Sequence, residues 1–194
     1  MLYEWINGVK ANVASNAKLD SDSIEATASE VRYMNVVEEG WRADGWYQID
    51  GAWYFMNADG SLKQNESFLY DNNLYFVNKS GKMYQNQWLK WDGNYYYLRS
   101  WGGAAHEGWL LLQNKYYYIN EDCTRKTDEA FTYDNNLYFV DENGVMPANQ
   151  WVIRDGVWYF TYSWGGARKS QWFYYKNNWY YFNDDASMQT GWAE

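Results

Sequence analysis

Aromatic residues return along this chain every 20 to 22 positions. Trp46, Phe68, Trp88, Trp109, Phe131, Trp151, Trp172 and Trp192 lie 22, 20, 21, 22, 20, 21 and 20 residues apart. Seven residues after each of the first seven stands a second aromatic that opens a cluster, as in Trp53-Tyr54-Phe55, Tyr95-Tyr96-Tyr97 and Trp158-Tyr159-Phe160. A period of this size belongs to an array of small supersecondary units, none of which can bury its apolar face alone.

Each unit reads as a β-hairpin. Counted from the leading aromatic, positions 4 and 5 are Asp50-Gly51, Asn72-Asn73, Asp92-Gly93, Gln113-Asn114, Asn135-Asn136, Asp155-Gly156 and Lys176-Asn177. Gly and Asn are the residues that best tolerate positive φ, which a two-residue type I′ turn demands. With those residues in the turn, positions 0, 2, 7 and 9 share one face and position 8 points to the other. Trp46/Trp53, Trp151/Trp158 and Trp172/Trp179 then become diagonal neighbours on one side of their hairpins. Position 8 is read as core, and Met83, Met146 and Met188 as packing residues.

A longer repeat lies above the short one. Residues 68–127 and 131–190 match at 29 of 60 positions without a gap, including Asn-Gln-Trp (86–88, 149–151) and Ser-Trp-Gly-Gly-Ala (100–104, 163–167). Sixty-three residues make three hairpins, the spacing expected of a solenoid that turns by three hairpins, or of a duplicated block. The fold expectation is all-β: a β-hairpin solenoid of about seven repeats over residues 40–194. Residues 1–39 are expected to be a helical cap or linker. Asp22-Ser-Ile-Glu25 has capping-box spacing for a helix near 22–34. The apolar spacing over 2–18 suggests another helix, against which Asn7-Gly8 signals a turn.

Composition narrows the function. The net charge is −9, with 14 Trp, 21 Tyr and 8 Phe and no Lys/Arg cluster. That opposes a nucleic-acid surface and suits a cation or a sugar. No apolar run is long enough for a membrane span, and no signal peptide is visible. Cys123 is the only cysteine and His106 the only histidine. Neither has a catalytic partner within its motif, and no metal-ligand cluster, phosphate loop or triad is present. The expectation is a protein without catalytic residues, metal or cofactor.

Segments such as Gly45-Trp-Tyr-Gln-Ile-Asp-Gly-Ala-Trp-Tyr-Phe-Met-Asn-Ala-Asp-Gly60 resemble the cell-wall-binding repeats of choline-binding modules, which are related to glucan-binding and clostridial toxin repeats. The resemblance covers residues 40–194. It implies a left-handed hairpin solenoid that grips choline groups of teichoic or lipoteichoic acid between consecutive hairpins. Two aromatics of each cage come from one unit and one from the next. Carried over by position, the implied choline residues are Trp46 with Trp53, Trp88 with Tyr95, Trp109 with Tyr116, Trp151 with Trp158, Trp172 with Trp179, and Trp192. The units led by Phe68 and Phe131 depart from the pattern, with Leu74 and Leu137 beside their clusters. Trp101 and Trp164 either fill the interior or reshape the adjacent pocket. The implied setting is extracellular and wall-associated, with oligomers allowed. The rival expectations are a glycan-binding repeat and a protein-interaction solenoid without a small ligand.

Overall fold

A computed structural model describes residues 2–6, 9–13, 32–37, 40–42, 45–59 and 61–191. Every regular element among them is a strand. The chain divides into two compact units, Met1–Ala105 and His106–Glu194.

The first unit opens with a four-stranded antiparallel sheet, in the order β2-β1-β3-β4, made of β1 (Leu2–Ile6), β2 (Val9–Val13), β3 (Arg32–Val37) and β4 (Gly40–Arg42). β1 and β2 pair from Leu2↔Val13 to Ile6↔Val9. This corrects the helix expected over 2–18, whose residues 14–18 lie outside the described ones. Asn-Gly between two short runs of alternating character is the stronger local signal, and it is a hairpin signal. The helix expected near 22–34 falls mostly outside the described residues, but its last three positions belong to β3.

Three hairpins follow in the first unit: β5/β6 (Gly45–Ile49, Ala52–Met56), β7/β8 (Glu66–Tyr70, Asn73–Val77) and β9/β10 (Gln87–Trp91, Asn94–Leu98). The second unit has four: β11/β12 (Gly108–Leu112, Lys115–Ile119), β13/β14 (Glu129–Tyr133, Asn136–Val140), β15/β16 (Trp151–Arg154, Val157–Phe160) and β17/β18 (Gln171–Tyr175, Asn178–Phe182). Their turns begin at Asp50, Asp71, Asp92, Gln113, Asp134, Asp155 and Lys176, and both turn residues have positive φ in all seven. The turn period is thus 21 throughout.

That regularity corrects the second and fifth hairpins. Their turns are Asp71-Asn72 and Asp134-Asn135, one residue earlier than expected. Asp accepts the left-handed region about as readily as Asn, so a run of Asp-Asn-Asn allowed two registers. Numbered on the 21-residue frame, Ser67 and Ala130 occupy position 0, where other hairpins carry Trp. Phe68 and Phe131 move to position 1, opposite Tyr75 and Tyr138, on the other face of the ribbon.

Among the described residues no sheet joins one of these seven hairpins to another. Single backbone bonds and side chains do so. The linker after each hairpin folds back on it, as in Lys63 N–H to Phe55 O at 2.9 Å and Lys126 N–H to Tyr118 O at 2.9 Å. One residue earlier, the linker donates to the preceding hairpin, as in Met83 N–H to Trp53 O at 2.8 Å and Met188 N–H to Trp158 O at 2.7 Å. In the fifth repeat the returning residue is Pro147, which has no N–H to give. The bridge joining the end of a hairpin to its linker, as in Phe182↔Met188, is missing between Val140 and Met146.

The core is a stack of rings. Position 9 of one hairpin packs on positions 1 and 3 of the next: Phe55 on Phe68 and Tyr70 at 4.8 Å, Tyr118 on Phe131 at 4.7 Å, Phe160 on Phe173 at 4.6 Å. Position 10 seals the interior with Met56, Val77, Leu98, Ile119, Val140, Thr161 and Phe182, all buried. Thr161 is admitted because its hydroxyl donates to the Gln150 carbonyl at 3.3 Å, which satisfies an otherwise costly buried group.

Gln113 holds φ 48° at an exposed turn position that favours Asn, Asp or Gly. Gln113→Asn should therefore stabilise the fold by up to about 1 kcal/mol, read as a higher urea midpoint at unchanged m-value.

The second turns give a pH dependence. Asp122 and Asp185 each accept from the backbone N–H and hydroxyl two residues on, those of Thr124 and Ser187. Those hydroxyl bonds hold both carboxyls below the ordinary value of 3.8. A depressed carboxylate stabilises the fold above its unfolded pKa, and that stability is lost as pH falls through the folded value. Melting temperature should drop below about pH 4. Asp122→Ala/Asp185→Ala should be less stable at neutral pH and show a shallower acid decline.

Candidate aromatic cages between consecutive hairpins

The face bearing positions 0, 7 and 9 of one hairpin meets the face bearing positions 1, 3 and 8 of the next. Where positions 0 and 7 are aromatic, the joint forms a slot. Its clearest instance lies between the sixth and seventh hairpins. Trp151 and Trp158 stand at 87° to one another with centroids 6.0 Å apart, and Tyr180 reaches Trp151 at 4.9 Å. With Met188 they line an open cavity of about 270 Å³. Trp151 is anchored on Phe160 at 5.1 Å and Phe182 at 6.0 Å, whereas Trp158 is 43% exposed.

Two further joints repeat the arrangement. In the first unit Trp46 meets Tyr75 at 4.8 Å, and Met83, bonded through its N–H to the Trp53 carbonyl, packs in the same cluster. In the second unit Trp109 meets Tyr116 at 6.4 Å and Tyr138 at 4.9 Å, with Met146 bonded to the Tyr116 carbonyl. Burial, then the nearby Asp71 or Asp134, pushes the Tyr75 and Tyr138 phenols up. Both rings are therefore neutral near pH 7 and offer a π face rather than a phenolate.

The remaining joints within a unit lack an aromatic at position 7. Leu74 takes position 7 of the second hairpin, and its carbonyl accepts from Ala104 rather than from a Met. Leu137 and Ala167 repeat this in the fifth, where Leu137, Val152 and Tyr159 pack on Phe139 and Ala167. A Met thus accompanies each aromatic pair that is walled in, and an Ala each Leu.

Of the other residues named from the sequence, Trp88 packs edge-on against Tyr97 at 5.3 Å, and Lys90 Nζ lies 5.3 Å over Tyr95. Trp172 and Trp179 are exposed beside Tyr181 and Tyr174. Trp192 lies outside the described residues. The sequence puts Tyr180 in the core, Met83, Met146 and Met188 among the packing residues, and Tyr75 and Tyr138 at position 7 of the two departing units; here the three Tyr rings also stand as third walls and the Met side chains as floors. A signal did exist: position 8 is Tyr in all seven hairpins on the 21-residue frame.

Cations already meet rings in this chain. Lys63 lies 4.8 Å over Phe68, Lys126 5.1 Å over Phe131, and Arg168 3.9 Å over Phe173 and 4.3 Å over Tyr162. Those three occupy one repeat position and cover the position-1 ring beside each cage.

Cys123 does meet His106, whose Nδ1 is 3.8 Å from its sulfur, although 17 residues separate them. Burial and then the Asp122 charge push the Cys123 thiol up, the opposite of what a nucleophile needs. Among the described residues no group of three His, Cys, Asp or Glu side chains is placed to hold a metal.

The two rings of the third cage differ in structural cost. Trp151→Ala removes a packed ring and should cost about 3 kcal/mol or more. Trp158→Ala removes a half-exposed wall and should cost about 1 kcal/mol or less. Urea unfolding of the two variants checks the difference.

Comparison with known proteins gives a consistent picture. The family model described as "Putative cell wall binding repeat" matches residues 44–62, 86–104, 131–146 and 170–185. Among solved structures, the modular autolysin LytC of Streptococcus pneumoniae is 26% identical, with a TM-score of 0.66, over 81% of this chain and 36% of that one. Choline binding protein F of the same organism is 22% identical, with a TM-score of 0.70, over 97% and 64%. CbpJ, also of S. pneumoniae, is 21% identical, with a TM-score of 0.70, over 83% and 57%. The chain therefore spans about a third to two-thirds of the length of these structures. Among curated protein sequences no match was found. Four stretches of the hairpin array match the cell-wall-binding repeat, and the array is similar to the repeat regions of pneumococcal choline-binding proteins.

Proposed function

We propose that the chain is a non-catalytic module that holds choline groups of a bacterial wall polymer, of the teichoic or lipoteichoic acid kind, in the slots between its hairpins. The observation that carries the reading is the slot formed by Trp151, Trp158 and Tyr180 over Met188. It is apolar, open to solvent and sized for a small head group. A quaternary ammonium offers no hydrogen-bond donor, so π faces and a soft thioether are the fitting partners. Each desolvated cation–π contact contributes on the order of 1–2 kcal/mol. One such slot binds weakly. Several slots on one chain facing a repetitive polymer act together through effective concentration. The net charge of −9 adds a long-range attraction for cations. The module's place is then the outer surface of the wall.

A glycan ligand is the second reading, favoured by a cleft of about 440 Å³ beside Pro147. Phe139, Pro147 and Trp151 give it an apolar floor, with Asp128, Glu142, Gln150 and Arg154 around them. Arg154 is tied to Asp128 at 2.6 Å.

Retention on a tertiary-amine resin and release by free choline tests the first reading. Trp158→Ala should weaken choline binding at its slot roughly tenfold by calorimetry, one ring's contribution. Release by glucose oligomers instead of choline would transfer the assignment to the glycan. No retention at all would overturn the choline reading in favour of a glycan or a protein partner.

A further inference from the structure

The paired Ser-Trp-Gly-Gly-Ala segments are not explained by the slots alone. Each lies in the linker two hairpins after a cage begins, and each returns to that cage. Gly102 comes down on Met83, so closely that a Cβ there would sit 2.2 Å from the methionine sulfur; at Gly165 and Met146 the figure is 2.1 Å. φ is 95° at Gly102 and 98° at Gly165, a second reason for glycine. The next glycine makes room for the Trp itself: a Cβ on Gly103 would fall 1.8 Å from the Trp101 ring, and one on Gly166 2.0 Å from the Trp164 ring.

Folded back in this way, Trp101 stands at 70° to Tyr75 with centroids 6.0 Å apart. Trp164 stands at 69° to Tyr138 at 5.9 Å. The indoles are not core filler, because they remain 48% and 49% exposed. What they touch is buried: Tyr75 is 8% and Tyr138 7% exposed. Tyr180 and Met188 of the third cage are only half-buried. Two glycines cost conformational freedom in the unfolded chain, and the cost recurs at both copies to hold one half-exposed indole beside a cage wall.

We propose that Trp101 and Trp164 are additional walls of the Trp46–Trp53–Tyr75 and Trp109–Tyr116–Tyr138 cages, and that they restrict those cages to small quaternary ammonium heads. The inference rests on the choline reading above and adds to it which slots select by size. A trimethylammonium head fits beside the extra ring. A head with four ethyl groups does not, and is confined to the cage of Trp151, Trp158 and Tyr180. The chain thereby carries two grades of slot, a restricted pair and an open one.

The test uses the whole chain labelled with ¹⁵N-tryptophan, with indole Nε1–H signals assigned from Trp53→Phe, Trp101→Phe, Trp158→Phe and Trp164→Phe. Choline should shift the signals of Trp101 and Trp164 together with those of Trp53 and Trp158. Tetraethylammonium should shift Trp158 alone. In Trp101→Ala the larger cation should also shift Trp53, and choline affinity at that cage should fall roughly tenfold or less, as for one lost ring. If choline moves Trp53 and Trp158 but leaves Trp101 and Trp164 unmoved, the added walls are refuted while choline binding stands. Equal access of tetraethylammonium to Trp53 and Trp158 in the unaltered chain refutes size selection. If choline moves no indole, the choline reading itself fails.

Discussion

Ring-on-ring contact across the joints is what this structure cannot do without. A two-stranded ribbon in water is marginal by itself, and here each remains two-stranded, with no ladder to the next. Cohesion comes from one hairpin's position-9 ring lying on the next one's position-1 and position-3 rings, as Phe160 lies on Phe173 and Tyr175. Aromatic pairs give about 0.5–1.5 kcal/mol beyond their buried area, and a wide flat ring spans a joint that aliphatic side chains would leave open. The high aromatic content is thus first a requirement of the fold.

Binding capacity follows from how that requirement is met. Position 9 carries the packing common to these joints, and positions 0 and 7 differ from hairpin to hairpin. Leu74 with Ala104, or Leu137 with Ala167, makes a joint without an aromatic cage. Trp158 with Met188 makes an open one on the same backbone bond. Substitution at three side chains, position 0, position 7 and the linker residue bonded to it, separates a joint without a cage from a slot, without altering the hairpin. The cations at the linker, Lys63, Lys126 and Arg168, cover neighbouring rings at the joints that are slots. Arg168 is buried enough that desolvation lowers its pKa, and its guanidinium remains a cation resting on Phe173.

Much of this was legible in the chain. Turn chemistry gave the hairpins, because positive φ at two successive residues is a demand that few residue types meet. It also gave the shared face of Trp151 and Trp158. Register was harder: Asp71-Asn72-Asn73 contains two acceptable turns, and the aromatic at 68 drew the reading to the wrong one. Only the 21-residue spacing of the other turns decides it. The third walls were hidden for a different reason. A Tyr at position 8 satisfies the core and the slot with one ring, so a reading that sorts residues into buried or binding misses Tyr180. The N-terminal strands were misread because Leu2, Ile6, Val9 and Val13 fit a helical stripe as well as two short strands. The pairing of Cys123 with His106 depends on the return of a linker, which no local pattern encodes.

The backbone bonds between repeats have a mechanical consequence. Within each unit the position-7 carbonyls of Trp53, Leu74, Tyr116, Leu137 and Trp158 are held by the linker that follows the next hairpin. Such a repeat is latched by its successor, and among the described residues no ladder joins the seven hairpins to share a load. Pulled from its C-terminal end, such a chain peels repeat by repeat, each latch opening only after the one behind it. An array made this way yields in small steps and re-forms them when tension drops, instead of letting go at once.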